Sequence, residues 1–545
     1  MAMKIPKSGL PQMLKDGYKH LSGLEESQFR NIAAVKELTQ ILRTSLGPNG
    51  RDKMVINHLE KLFVTNDAAT IMKELEVIHP AAKLLVMASQ QQESEMGDGT
   101  NFVVVFAGEL LQQAEQLLRM GLHPSEVIEG YRVAGAKALE LLEAAVVDEV
   151  KNAADKGQLM RVVRSSIASK QYGYEDLLAT VVVDASLEVM PKNPVNFNVD
   201  SIRVVKILGG SIHDTSVVKG MVFGREPEST ITKATKAKVA IFTCPLDVAL
   251  TETKGTVLIH NADEMMNFSK GEEKNLEAGI KELADAGVKV VVTGSGIGEL
   301  ALHFLNRYNM LVVKVLSKFD LRRLCRVTGA TALTRMGAPM AEEMGYCEIV
   351  ETVEIGSDRC TVFRQEEEET KTATIVIRGG TQNSLDDLER AIDDGVNVIK
   401  AVAKDGRLLA GAGAVDMELA RQLQTIGEKT AGLNQYAIKK YAQALEVIPR
   451  TLAENAGQDS TDVISKLYAA HSAGKATAGV DIESEEGSIL DAKEKEIFDI
   501  LSMRLFATKL ATHAAITILS VDQIIMSKQA GGPKVKENKD WDNDD

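Results

Sequence analysis

Gly97-Asp98-Gly99-Thr100-Asn101 stands between the polar run SQQQESEM and the apolar stretch FVVVFAGELL. An acid held between two glycines just before a helix-forming segment has a specific physical meaning. The glycines let the backbone approach a ligand closely, and the helix that follows aims free N–H groups and a partial positive charge at that point. Such a turn favours phosphate. Asp98 would repel a phosphate directly, so a cation must intervene; Mg2+, which takes carboxylate, phosphate oxygen and water, makes Asp98 the expected metal ligand.

A Gly-Asp-Gly turn alone is common; its company gives it weight. Leu46-Gly47-Pro48-Asn49-Gly50 ends a helical segment, TNDAAT (65–70) places Asp67 at a helix start, and GAGA (411–414) adds a further turn of small residues. Several turns of this kind converge readily on one nucleotide. Hydrolysis of a phosphoanhydride needs a metal to neutralise charge and an acceptor to orient the attacking water. Asp67 suits the second task, together with a further acid that spacing alone does not name. A rival glycine cluster, TGSGIGEL (293–300), has the spacing G-x-G-x-G and no GK[ST] ending, so it reads as an ordinary strand-to-helix turn.

The totals bound these readings. A chain of 545 residues divides into two to four domains at roughly 150 residues each. Its 44% hydrophobic and 26% charged residues are those of a soluble globular protein. A net charge of −14 argues against nucleic acid and anionic membrane as partners. The first residues lack an apolar signal core, and no run of about eighteen apolar residues occurs, so a cytosolic location is expected. Cys244, Cys325, Cys347 and Cys360 form no C-x-x-C pair and read as reduced structural thiols. The nine histidines show no H-E-x-x-H spacing and read as structural.

Along the chain, residues 1–148 read as helical, with Phe29, Ile32, Val35, Leu38 and Leu42 at helical spacing and a stop at Gly47-Pro48. A helix is expected after TNDAAT, with Asp67 in or near its cap, and another after GDGTN as far as Gly121. From about 200 to 370, the β-branched runs IRVVKIL, KVAIFTC, VKVVVTG and MLVVKVL alternate with helical segments, as in an α/β domain. Within it, NADEMMNFSKGEEKNLEAGIKELADAG is a long helix whose first half carries Met265, Met266 and Phe268 among charges, a candidate contact surface. Glu366–Glu369 reads as a solvated loop. Beyond TATIVIRGG the chain returns to helix, and residues 529–545 read as a disordered acidic tail. The order helical, α/β, helical implies an α/β module inserted into a discontinuous helical domain.

Taken together, LGPNGRDKM, TNDAATI, GDGTN, RGG near 378, ERAIDDG and GAGA, in this order, resemble a group II chaperonin over nearly the whole chain. The finer stretches FTCPLD, NFSKGEEK and VDQIIM resemble one subunit class within that family. The resemblance implies a multidomain α and α/β fold. Its parts are a helical equatorial domain (1–148 and 409–528), an intermediate domain (149–215 and 374–408) and an apical domain (216–373) with a helical protrusion near 260–285. It implies an ATPase subunit in an eight-membered ring of paralogous subunits, stacked on a second ring and folding non-native proteins such as actin and tubulin.

Residue by residue, the resemblance assigns Leu46, Gly47 and Pro48 to the nucleotide phosphates, Asp98 to Mg2+, and Gly99 and Thr100 to phosphate oxygens. Asp67 and Asp394 would flank the attacking water, with Asp393 an adjacent rival. Lys170 matches the lysine that senses the terminal phosphate, and Gly413 and Asp499 match positions near the ribose and base of ATP or ADP. The chain departs from the family pattern at Asn49, Ala68 and Asn101. Asn101 replaces a hydroxyl and is expected to donate to phosphate through its amide. That departure motivates an alternative: a ring subunit that binds nucleotide as a scaffold with little hydrolysis. A third reading is a metabolic α/β enzyme using the 293–298 turn for a dinucleotide.

Overall fold

The computed structural model describes residues 19–22, 27–247, 260–356, 358–365, 371–484 and 488–526. Strand β1 (Lys19–Ser22) precedes α1 (Phe29–Arg43), which forms where the sequence places Ile32, Val35, Leu38 and Leu42 on one buried face. A hairpin of β2 (Lys53–Ile56) and β3 (Leu62–Thr65) follows, then α2 (Ala68–Glu74), α3 (Pro80–Met96), α4 (Thr100–Arg119) and α5 (Pro124–Ala144). In α4, Val103, Val104, Val105, Phe106 and Ala107 are each at most 1% exposed, so the first half of this helix is buried on every side. The Phe106 ring stacks on Phe102 at 5.4 Å and meets Tyr441 edge-on at 5.5 Å.

After the short β4 (Asp148–Glu149), α6 (Lys156–Ala168) and α7 (Glu175–Val189) lead into β5 (Ile202–Leu208), β6 (Ser216–Phe223) and β7 (Lys233–Phe242). Next come α8 (Ala262–Asp285), β8 (Val288–Thr293), α9 (Glu299–Arg307), β9 (Leu311–Lys314), α10 (Lys318–Thr328), β10 (Ala332–Leu333), β11 (Gly345–Ile355), β12 (Asp358–Arg364) and β13 (Ala373–Gly379). These strands make one nine-stranded mixed sheet in the order β5-β13-β6-β12-β11-β7-β8-β9, with β10 beside β7. The parallel members are nearly continuous apolar runs buried on both faces, as helix-covered strands require.

The long helix α11 (Gln382–Lys404) returns the chain to β14 (Arg407–Ala410), α12 (Ala414–Lys429), α13 (Asn434–Leu445), α14 (Val447–Asn455) and α15 (Ser460–Ser472). The hairpin of β15 (Ala478–Val480) and β16 (Ile489–Asp491), then β17 (Phe498–Ile500), α16 (Leu501–Leu519) and β18 (Gln523–Met526) complete it. Strand β18 pairs antiparallel with β1, closing the chain ends on each other. One apolar core unites helices from residues 32–142 with helices from 409–519. A second gathers α6, α7, β13 and α11, and two more lie on either face of the outer sheet.

The architecture is multidomain α and α/β, with the sheet-bearing segment inserted between two helical segments. The structure differs from the all-helical reading of residues 1–148 at 53–65, where two four-residue strands stand as a hairpin. Val55 is buried between the exposed Met54 and Ile56, a two-residue alternation too short to register against the surrounding helices. Helix α2 also begins inside TNDAAT, at Ala68, rather than after it. The side chains of Met265, Met266 and Phe268, the acidic run 366–369 and the tail lie outside the described residues. All four cysteines are free thiols.

A buried polar cluster fastens α12 to α15. Glu418 accepts from Arg421 Nη2 (2.5 Å) and Gln422 Nε2 (2.6 Å) and lies 3.1 Å from His471 Nδ1, while His471 Nε2 faces Ala478 O at 2.9 Å. Burial alone would raise the Glu418 pKa, but Arg421, Gln422 and His471 outweigh it and bring it down to about 2. A carboxyl depressed in the folded state adds stability that is complete above its unfolded value and is lost as pH falls towards its folded one. Glu418→Gln should therefore be less stable than the parent at neutral pH. The difference should shrink between about pH 4.5 and pH 2 in urea-unfolding series; a difference independent of pH would refute the role.

Candidate functional site

The turn 97–99 is built by two helices meeting end to end. Gly97 ends α3 at φ 82° and Gly99 begins α4 at φ 80°, both in the left-handed region that costs other residues energy. Gly97 has a second constraint, because a Cβ there would lie 2.3 Å from the Asn397 side chain of α11. Between them the Asp98 carbonyl accepts from Gln92 Nε2 (2.8 Å). Asp98 Oδ1 takes the Gly99 N–H (2.6 Å), and Oδ2 takes the Ser166 hydroxyl of α6 (2.7 Å). The glycine cap leaves the first N–H groups of α4 without helical acceptors.

A cavity of about 260 Å3 opens at this turn. Its wall includes Leu46, Gly47, Pro48, Asp98, Gly99, Thr100, Asn101, Lys170, Gly413 and Asp499. The sequence-derived candidates thus come from five separated segments to one place. The 44–51 turn that closes α1 is held by Gly50 N–H to Gly47 O (2.9 Å) and Arg51 N–H to Thr44 O (2.8 Å). Gly413 starts α12 as its left-handed cap, presenting a second helix N-terminus to the same space. The lining also includes the apolar Ile448, Val480, Ile482 and Ile497.

Asp67 and Asp394 stand behind this wall and meet at Lys170. Asp67 caps α2, its Oδ2 accepting from Thr70 N–H (2.9 Å) and Thr70 Oγ1 (2.8 Å). Its Oδ1 accepts from Thr100 Oγ1 (2.8 Å) and Lys170 Nζ (3.2 Å). The same ammonium lies 2.5 Å from Asp394 Oδ2. Asp393, one residue away on α11, is exposed, so the helix itself separates the two rivals.

The electrostatics follow from burial and a shared charge. Burial works against the Asp67 carboxylate, but Lys170, the Thr70 N–H and the two hydroxyls outweigh it and hold the group well below the usual range. Burial likewise opposes the Lys170 charge, yet Asp394, Asp67 and Asp98 keep it above the ordinary lysine value. Burial pushes Asp394 well above the carboxylate range, because one ammonium shared with Asp67 does not offset it and the acids at 98 and 67 add repulsion. Three carboxyl groups therefore crowd one cation, and Asp394 favours its neutral form. Among the described residues no group of three or more His, Cys, Asp or Glu could hold a metal unaided.

Asn101 differs from its expected role. It lines the cavity, but both hydrogens of its amide are committed, Nδ2 donating to Ser45 O (2.9 Å) and Asn66 O (3.1 Å). Sequence reasoning missed several participants. Ser166 lies four residues before Lys170, one helical turn away, and Asn397 three after Asp394; both spacings were readable once their neighbours were assigned. Arg504 left no signal in the sequence: its guanidinium lies 3.8 Å from the Phe102 ring centroid and pairs with Asp416 in the cavity lining. Burial, with Asp499 adding, pushes Asp416 up to about 6 against the pull of Arg504. The 293–298 turn is tied to the backbone of Leu246, whose N–H donates to Gly296 O (3.0 Å) and whose carbonyl accepts from Gly298 N–H (2.9 Å).

Comparison with known proteins agrees with this arrangement. A probable T-complex protein 1 subunit theta of Schizosaccharomyces pombe is 58% identical over 546 residues, covering all of both chains. The T-complex protein 1 subunit theta of Dictyostelium discoideum is 55% identical over 98% of this chain and all of its own. That of Homo sapiens is 55% identical over the whole of both. The subunit class that the sequence resembles is the one these relatives are named for, and the metabolic-enzyme reading is set aside. Residues 38–529 match the description TCP-1/cpn60 chaperonin family, and the chain belongs to that family.

Proposed function

We propose that this chain is an ATP-hydrolysing theta-type subunit of a cytosolic chaperonin. The observation that carries the reading is Lys170, held between Asp67 and Asp394 beside a cavity faced by two glycine-capped helix starts. The triphosphate of ATP would lie against the backbone of the 46–48 turn and the N–H groups of Gly99 and Thr100, with ribose and base toward Gly413 and Asp499. Mg2+ at Asp98 would neutralise charge on the phosphate oxygens. Asp67 and Asp394 would orient the attacking water, and Lys170 would report the terminal phosphate to both.

The helical body would be the equatorial domain (1–148, 409–528), the body around α11 the intermediate domain (149–215, 374–408), and the outer sheet the apical domain (216–373). Because Asp67 and Asp394 come from different bodies, closing one on the other would complete the site. Eight such paralogous subunits would form each of two stacked rings enclosing non-native proteins such as actin and tubulin. Among the described residues, no helix is long and apolar enough to cross a membrane. The scaffold alternative draws support from the committed amide of Asn101. Single-turnover hydrolysis at this subunit's site separates the two, since a scaffold would bind ATP without converting it.

In the assembled particle, Asp394→Ala should leave ATP affinity within a few-fold and slow single-turnover hydrolysis at this site by roughly 10²–10⁴, the usual worth of a positioned base. An unchanged rate would remove Asp394 from the chemistry. Negative-stain images of the native particle should show eight-membered rings in stacked pairs; a monomer or small dimer would overturn the assembly.

A further inference from the structure

Within the ATP site proposed above, we infer that Asn101 is a positioning residue, which fixes the spacing of the three turns around the phosphates and does not itself contact the nucleotide. Its amide joins three segments. Nδ2 donates to Ser45 O (2.9 Å) in the turn after α1 and to Asn66 O (3.1 Å) before α2, while Oδ1 accepts from Ala68 N–H (2.7 Å). An amide has two hydrogens to donate, and both are used.

The consequence for the site is specific. Ala68 is the first residue of α2, so Asn101 satisfies one free N–H of that helix while Asp67 satisfies another, at Thr70. Asn101 thereby sets where Asp67 begins its cap, and with it the direction of the carboxylate that meets Lys170. On the other side, Ser45 O belongs to the turn carrying Leu46, Gly47 and Pro48. That turn is gripped from below by Asn455 of α14, whose Nδ2 donates to Arg43 O (3.2 Å) and Leu46 O (2.8 Å). The phosphate-facing turn therefore hangs between two asparagines from two helices. A hydroxyl at position 101 has one hydrogen and cannot hold both carbonyls.

Hydrogen exchange of the nucleotide-free assembled particle tests the linkage without reference to ATP. Asn101→Ala should make segments 44–51 and 65–70 exchange about five-fold faster, the worth of one hydrogen bond, with residues 318–328 unchanged. Asn101→Asp keeps the acceptor for Ala68 N–H but loses both donors, so it should restore protection at 65–70 and leave 44–51 fast. Unchanged exchange at both segments, or the same loss in the two variants, overturns the inference. With ATP, Asn101→Ala should slow single-turnover hydrolysis by at least ~10-fold, because small misplacements of reacting groups are expensive. The dissociation constant for ATP should move by less than about three-fold. A loss confined to ATP affinity would make Asn101 a direct ligand. Failure of the parent particle to bind ATP would remove the ATP reading, while the exchange result would still decide the linkage.

Discussion

One buried ammonium holds three distant segments together. Lys170 follows α6, Asp67 caps α2 and Asp394 lies in α11, and the lysine reaches both acids at 3.2 and 2.5 Å with little solvent access. Taking such charges out of water costs several kcal/mol per ion, which only close pairing offsets. The arrangement therefore has few alternatives: moving any one of the three leaves an uncompensated charge inside the protein. Thr100 and Thr70 complete the coordination of Asp67, so the start of α4 is tied into the same network.

The seam along which this network runs combines polar and apolar contacts. Apolar packing crosses it, with Phe498, Ile500 and Met503 buried in the same cluster as Val162 and Val398, and polar contacts run beside the cavity. Thr65 Oγ1 donates to Asp387 Oδ1 (3.0 Å), Asn66 Nδ2 to Lys170 O (3.3 Å), Ser166 to Asp98 and Ser165 Oγ to Phe498 O (2.8 Å). Polar groups exchange partners with water at small net cost, whereas separating an apolar core exposes area worth about 25 cal/mol per Å2. The polar contacts of this seam can thus exchange partners when the cavity is filled, while its apolar contacts resist separation.

Much of this was legible in the sequence, and the reasons differ by element. The helix at 29–43 and the buried strands of the outer sheet announce themselves by periodicity, which is local. The 53–65 hairpin was hidden because each strand has only four residues. On α11, Asp387 and Asp394 are seven residues apart and share a face, one bonded to Thr65 and the other paired with Lys170. That spacing distinguishes Asp394 from Asp393, and the sequence contains it. The partners of Asn101 and the stacking of Arg504 on Phe102 depend on residues dozens to hundreds of positions away, and no spacing rule carries that information.

The choice of helix caps points to the kind of ligand the cavity takes. Asp67, Asp155, Thr381 and Asp459 cap their helices with side chains and satisfy the amides they face. Among the described helices, only α4 and α12 begin on a glycine with positive φ, Gly99 at 80° and Gly413 at 75°, and both open onto the cavity. A glycine has no side chain to offer, so these amides keep their demand for an anion. Asp98, Asp67 and Asp394, with one lysine among them, create the opposite demand. A bare anion satisfies the amides and is repelled by the acids; a bare cation does the reverse. A phosphate chain carrying its own divalent cation would meet both demands at once, and the two helix starts and Asp98 line the same cavity.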